Sequence, residues 1–117
     1  MMKKMTVRVE SFDDGLERFK HAFETGEYQG EFVAFESMRE MMSALTSRRW
    51  ELIQVLQAKG PMSLRALARR LERDVKSVHR DVAELKNLGL IEEHSTGGIW
   101  VPYDEITAEF SVKRDAA

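Results

Sequence analysis

Lys76 and Arg80 stand four residues apart in the run Val75–Leu88. On an α-helix that spacing sets both cations one above the other on a single face. A guanidinium so placed can make a bidentate hydrogen bond to the O6/N7 edge of guanine, and an ammonium can reach base edges in the same groove. Ser77 and His79 flank the pair and are candidates for weaker base contacts. Around them Ser63, Arg65, Arg69, Arg70, Arg73 and Lys86 are candidates for phosphate contacts, which fix register without reading sequence. Asp81 is expected to orient an arginine and not to face a polyanion. Between Lys59 and Lys86 eight basic residues meet four acidic ones, a local +4 in a chain whose formal net charge is −2. The distribution of charge, more than its total, decides what a surface attracts.

Three helices must hold these side chains. Leu64, Leu67, Ala68 and Leu71 recur at i, i+3, i+4 and i+7, and Ser63 stands where an N-cap belongs. Glu72, Arg73 and Asp74 interrupt that stripe, and Asp74 can cap the next helix. There Val75, Val78, Val82 and Leu85 form a second apolar stripe, opposite Lys76, Arg80, Ala83 and Asn87. Gly89 ends this helix as a C′ residue. Upstream, Arg48–Lys59 reads as a helix capped by Thr46 or Ser47 and stopped by Gly60-Pro61. Its apolar positions Trp50, Leu52, Ile53, Val55 and Leu56 make a wide stripe, as packing against two other helices requires. Downstream, Leu90 and Ile91 begin a strand, and Ile99, Trp100 and Val101 return as another. The turn between them contains Ser95, Thr96, Gly97 and Gly98.

From about Thr46 to Tyr103 the chain resembles the winged helix-turn-helix transcriptional regulators of prokaryotes, of the MarR, ArsR and DeoR kind. The residues that carry the likeness are Ser63-Leu64, Leu67-Ala68 and Leu71, then Val78, Arg80-Asp81-Val82 and Leu85, then Gly89-Leu90-Ile91, then the Gly97-Gly98 hairpin. The resemblance implies a three-helix core plus a β-hairpin wing, and sequence-specific binding of double-stranded DNA as a homodimer. It also implies that helix 75–88 enters the major groove, as in a repressor or autoregulator. The wing at Ser95, Thr96, Gly97 and Gly98 carries no Lys or Arg, which such wings often have.

The first 45 residues form a different kind of unit. Thr6–Glu10 alternates apolar and polar like a half-buried strand. Ser11 or Asp13 can begin a helix with Leu16, Phe19, Lys20 and Phe23 along one side. Gly26 and Gly30 bracket a turn, and Glu31–Phe35 reads as a second strand. Ser37 with Glu40 is a capping box opening a helix striped by Met38, Met41, Met42 and Leu45. Such a unit is too small to bury a core alone, so Phe32, Phe35, Met38, Met41 and Met42 are candidates for a dimer or partner interface. Residues 105–112 alternate again, as a strand of the same sheet. The expected fold class is therefore α+β: a winged helix-turn-helix at 46–103, a strand–helix–strand–helix extension at 1–45, and a C-terminal strand and tail at 104–117.

Several function classes are disfavoured. His21, His79 and His94 sit on separate elements without metal-ligand spacing, and no Gly-rich loop opens a helix as a phosphate site requires. Neither catalytic residues nor a cofactor nor a metal is expected, and the chain is not read as an enzyme. With no cysteine there is no disulfide framework. No apolar run approaches the roughly 20 residues that span a bilayer, and no apolar stretch follows Lys3-Lys4, so a cytoplasmic protein without a membrane partner is expected. The alternative to an autonomous regulator is the antitoxin of a toxin–antitoxin pair. Such a protein would hold a toxin through residues 10–45 and repress its own operon.

Overall fold

The computed structural model describes residues 2–27 and 30–114 of the 117. The elements run β1 (Lys4–Val9), α1 (Phe12–Thr25), β2 (Glu31–Phe35), α2 (Met38–Ala44), α3 (Ser47–Lys59), α4 (Leu64–Leu71), α5 (Val75–Asn87), β3 (Glu92–Glu93), β4 (Ile99–Trp100) and β5 (Glu105–Glu109). Among the described residues the fold is α+β, with five helices, a three-stranded parallel sheet and a two-stranded antiparallel pair. No helix among them is long and apolar enough to cross a membrane. The chain divides into two compact units: Lys4–Ser43 with the chain from Glu105 onward, and Ala44–Asp104 with residues 2–3. Residues 115–117 of the expected tail, and Tyr28 and Gln29 of the expected turn, lie outside the described residues.

In the first unit the strands lie in the order β2-β1-β5, and both pairings are parallel. Parallel neighbours need a long crossover, and α1 supplies it between β1 and β2. Val7, in the central strand, registers with Val33 on one side and Ala108 on the other, and is fully buried. Ser11 is the N-cap of α1, its hydroxyl accepting from Asp14 N, and Gly26 closes the helix at φ 72°. Arg18 donates to Glu10 through Nε at 3.0 Å and lies 2.9 Å from it through Nη2, tying α1 to the end of β1. The strand over 105–112 is shorter than the alternation predicts and stops at Glu109.

α1 departs from a core-facing helix. None of its residues is buried, and Phe12, Leu16, Phe19 and Phe23 all stand in solvent. The methionine stripe of α2 also divides: Met41 and Leu45 are buried, whereas Met38 and Met42 are exposed. A seven-residue helix turns past two environments within two turns, so a stripe read at i, i+3 and i+4 need not face one neighbour. Ser37 Oγ accepts from Glu40 N, and Glu40 in turn accepts from Glu36 N, so this helix starts where the capping box places it.

In the second unit α3, α4 and α5 bury Leu52, Ile53, Leu56, Leu67, Ala68, Val78, Val82 and Leu85. Thr46, Ser63 and Asp74 are the N-caps of these helices; each side chain accepts the amide three residues on. The turn from α4 to α5 is tight because Glu72 takes a left-handed conformation (φ 53°) and donates its amide to α4 carbonyls. Leu90 and Ile91 are buried but do not form a strand. Their amides turn back to Leu85 O at 3.0 and 3.4 Å, satisfying the C-terminus of α5. Strand pairing begins only at Glu92, opposite Trp100, and Val101 lies beyond the pair. On the other side of β4, Met62 and Ile99 exchange two backbone hydrogen bonds, adding a third rung. Residues at the chain's start close the unit. Asp104 N donates to Lys3 O at 2.7 Å, Lys3 N donates to Asp104 Oδ2 at 2.8 Å, and Lys3 Nζ lies 5.1 Å from the Tyr103 ring centroid.

Candidate nucleic-acid interface

α5 has two chemically distinct faces. Val78, Val82 and Leu85 recur at i, i+4 and i+7 and are buried, which fixes the helix rotationally. Val75, expected in the same stripe, is exposed because it begins the helix ahead of the packed turns. Lys76, His79, Arg80, Ala83 and Asn87 are exposed on the outer side, and Lys76 and Arg80 take part in no ion pair among the described residues. Leu64, Val75, Lys76, His79, Arg80 and Ala83 line one open groove. Arg65, Arg69 and Arg70 on α4 are exposed as well and equally without ion pairs among the described residues. Ser63 Oγ accepts from Ala66 N at 3.1 Å as the cap of α4, which leaves its hydroxyl proton to donate outward.

Arg73 belongs to a different arrangement from the one expected. Its Nη2 donates to Asp81 Oδ2 at 2.6 Å and to Ser77 Oγ at 2.8 Å. Asp81 Oδ1 accepts from Arg49 Nε at 2.9 Å, and Arg49 Nη1 donates to Ala44 O at 2.8 Å. All three ionised side chains are largely covered, with relative exposures of 16%, 13% and 16% for Arg49, Asp81 and Arg73. Arg73, expected among the phosphate contacts, is therefore engaged within the protein, tying the turn before α5 to Asp81 and to the Ser77 hydroxyl. Burial pushes the Asp81 carboxyl up, but hydrogen bonds from Arg73 and Arg49, and then their charges, outweigh burial and hold it below the ordinary carboxylate value. Asp81 as an arginine-orienting residue is seen directly; the second guanidinium, Arg49, has no local sequence signal because it lies 32 residues away.

Lys86 is also engaged, in an ion pair with Glu93 across α5 and β3. Both side chains are well exposed, so the pair adds little stability, yet it takes Lys86 from the free cations. At the hairpin tip His94 N donates to Gly98 O, and Gly97 N to His94 O, with Gly97 and Gly98 at φ 104° and 84°. Thr96 N donates to His94 Nδ1 at 3.2 Å, and the Thr96 hydroxyl lies 2.6 Å from the same nitrogen. The His94 ring meets Trp100 edge-on at 4.7 Å. The tip is thus pre-shaped, with Ser95 and Thr96 outward.

Of the expected interface residues in the first unit, Met41 is buried and unavailable, and Phe35 is half-buried. Phe32, Met38 and Met42 remain exposed, with the Arg8 guanidinium 5.0 Å from the Phe32 ring centroid. The larger apolar surface, on α1, is outside that set. Its signal is the i, i+4, i+7, i+11 spacing of Phe12, Leu16, Phe19 and Phe23.

A family model, HVO_A0114, matches residues 44–108, more than half of the chain. The chain belongs to the HVO_A0114 family. Neither a curated protein nor a solved structure matches it. The HVO_A0114 segment takes in α3, α4, α5, the hairpin and most of β5, and so covers every residue of the α5 surface and the Arg49–Asp81–Arg73 cluster.

Proposed function

We propose that this HVO_A0114 protein is a sequence-specific double-stranded DNA-binding regulator. In this reading α3, α4, α5 and the β3–β4 hairpin are a winged helix, and α5 lies in the major groove. The observation that carries it is the pairing on one helix of a fully buried inner face with an outer face whose cations, Lys76 and Arg80, are free of ion pairs among the described residues. A cation left exposed beside a short apolar groove suits a ligand that is both polyanionic and flat-edged, as base pairs in a groove are. The Asp81 cluster supports the same reading, because recognition helices must be held rigidly to read hydrogen-bond positions.

Roles divide accordingly. Arg80 is the bidentate reader, and Lys76 and His79 are its neighbours in the groove. Arg65, Arg69 and Arg70 hold phosphates, with Ser63 donating its hydroxyl. Arg73, Ser77 and Lys86 act through other protein groups. The wing tip carries no cation and is assigned no base contact. One recognition helix makes few contacts, so two copies on two half-sites are the working form.

The test is a selection of bound duplexes from a random pool with the wild-type chain and two variants. Arg80→Ala should relax the preference at one base position, a loss of about 1–3 kcal/mol of discrimination. Arg69→Ala should weaken binding to all sequences alike and reduce the salt slope by about one. An unchanged preference in Arg80→Ala would remove Arg80 from the groove.

A further inference from the structure

We infer that α1 is a homodimerisation helix, pairing antiparallel with α1 of a second copy of the chain. Phe12, Leu16, Phe19 and Phe23 follow one another at spacings of 4, 3 and 4. That is the alternation of the seam positions in paired helices, and at 100° per residue the four fall within a sector of about 60°. Their side chains are exposed: Phe12, Phe19 and Phe23 are 69%, 68% and 81% exposed, and Leu16, which with Phe12 borders a groove shared with Phe32 and Phe35, is 47% exposed. At about 200 Å² per phenylalanine the stripe offers on the order of 450 Å² of apolar surface per copy. Two copies would cover on the order of 900 Å² before flanking residues count, close to the roughly 1,000 Å² that a specific interface needs. A patch of this size is comparable to the largest on typical monomers, and such patches are often functional.

The charges beside the stripe select the occupant and its direction. Asp13 and Lys20 flank the stripe on one side, and Gly15 and Ala22 flank it on the other. Neither Asp13 nor Lys20 takes part in an ion pair among the described residues. In an antiparallel pair about a twofold axis between Glu17 and Arg18, Phe12 meets Phe23 of the second copy and Leu16 meets its Phe19. The same side of each helix then faces the same side of the other. Lys20 comes opposite Asp13 of the second copy, twice by symmetry. A parallel pair sets Asp13 opposite Gly15 and Lys20 opposite Ala22 and gains no opposite charge. The surface is thus complementary to itself in one orientation, as a twofold contact requires. The α1 contact would supply the dimer that two half-sites call for. It rests on the DNA-binding reading for its purpose and not for its chemistry.

The experiment is sedimentation equilibrium of the full chain without DNA, with circular dichroism to verify folding. The wild type should sediment at twice the 13.5 kDa chain mass at micromolar concentration. Phe19→Asp, at an exposed position, should keep the fold and sediment at 13.5 kDa. Asp13→Lys and Lys20→Glu should each weaken the dimer by about tenfold. An equimolar mixture of these two variants, or the double variant Asp13→Lys/Lys20→Glu, should restore it. A monomeric wild type, with α1 engaging a different protein such as a toxin, would overturn the assignment, as would a dimer indifferent to Phe19→Asp. Failure of both the mixture and the double variant to recover would overturn the antiparallel pairing. A chain that binds DNA yet never dimerises sinks this inference alone; one that dimerises through α1 yet never binds DNA sinks the other.

Discussion

Asp81 holds two guanidiniums with its two carboxylate oxygens, one from α3 and one from the turn before α5. Removing one partner of a covered ion cluster leaves the others desolvated and unpaired, which costs far more than the cluster contributes net. Asp81→Ala should therefore destabilise the chain by about 2–4 kcal/mol in urea unfolding, and Asp81→Asn, which keeps one acceptor, by less. The same residue sets a pH dependence. Its folded-state pKa lies below the ordinary 3.8, so its stabilising contribution is complete above that value and is lost as pH falls from about 4 through the folded value. Melting temperatures measured from pH 6 downward should drop more steeply for the wild type than for Asp81→Asn. Parallel profiles would show that Asp81 is not held by its arginines.

At the scale of elements, caps and glycines set the geometry around α5. Gly98 sits at φ 84°, and a Cβ there would lie 2.8 Å from Met62 O. Gly98→Ala should break the Met62–Ile99 rung, cost about 1–3 kcal/mol, and release the hairpin before the helices in hydrogen exchange. Retention of hairpin protection would contradict that. Local signals made most elements legible in the sequence. Thr46, Ser63 and Asp74 each put a side-chain acceptor ahead of an apolar period, and each is an N-cap. Glu31–Phe35 pairs as a strand over its whole length. What the sequence could not convey was which neighbour an apolar face meets. Leu90 and Ile91 look like strand residues because they are apolar and come after a glycine, but their amides are claimed by the end of α5. Phe19 and Phe23 look like core because they are aromatic, yet both stand largely in solvent. At the candidate site, exposure of Lys76 and Arg80 follows from the periodicity of α5. Arg73 and Lys86 could not be told from free cations by spacing, because Asp81 and Glu93 reach them from other turns and strands.

Taken whole, the molecule separates two kinds of surface between two units. Apolar surface is concentrated on α1 of the unit built on the parallel sheet, and free positive charge on α4 and α5 of the helical unit. The chain's −2 is therefore a poor guide to what it attracts, since the Lys59–Lys86 stretch carries eight basic residues against four acidic. The most direct test of the account is an anisotropy titration of the full chain against a duplex from upstream of its own gene, at stepped salt concentrations. Binding should weaken linearly in log–log form with a slope of about −0.9 per phosphate neutralised. The double variant Lys76→Ala/Arg80→Ala should lose its preference for that duplex over an unrelated one while remaining folded. Absence of binding at low salt, or binding that neither salt nor the double variant alters, would contradict the assignment of α5 to DNA.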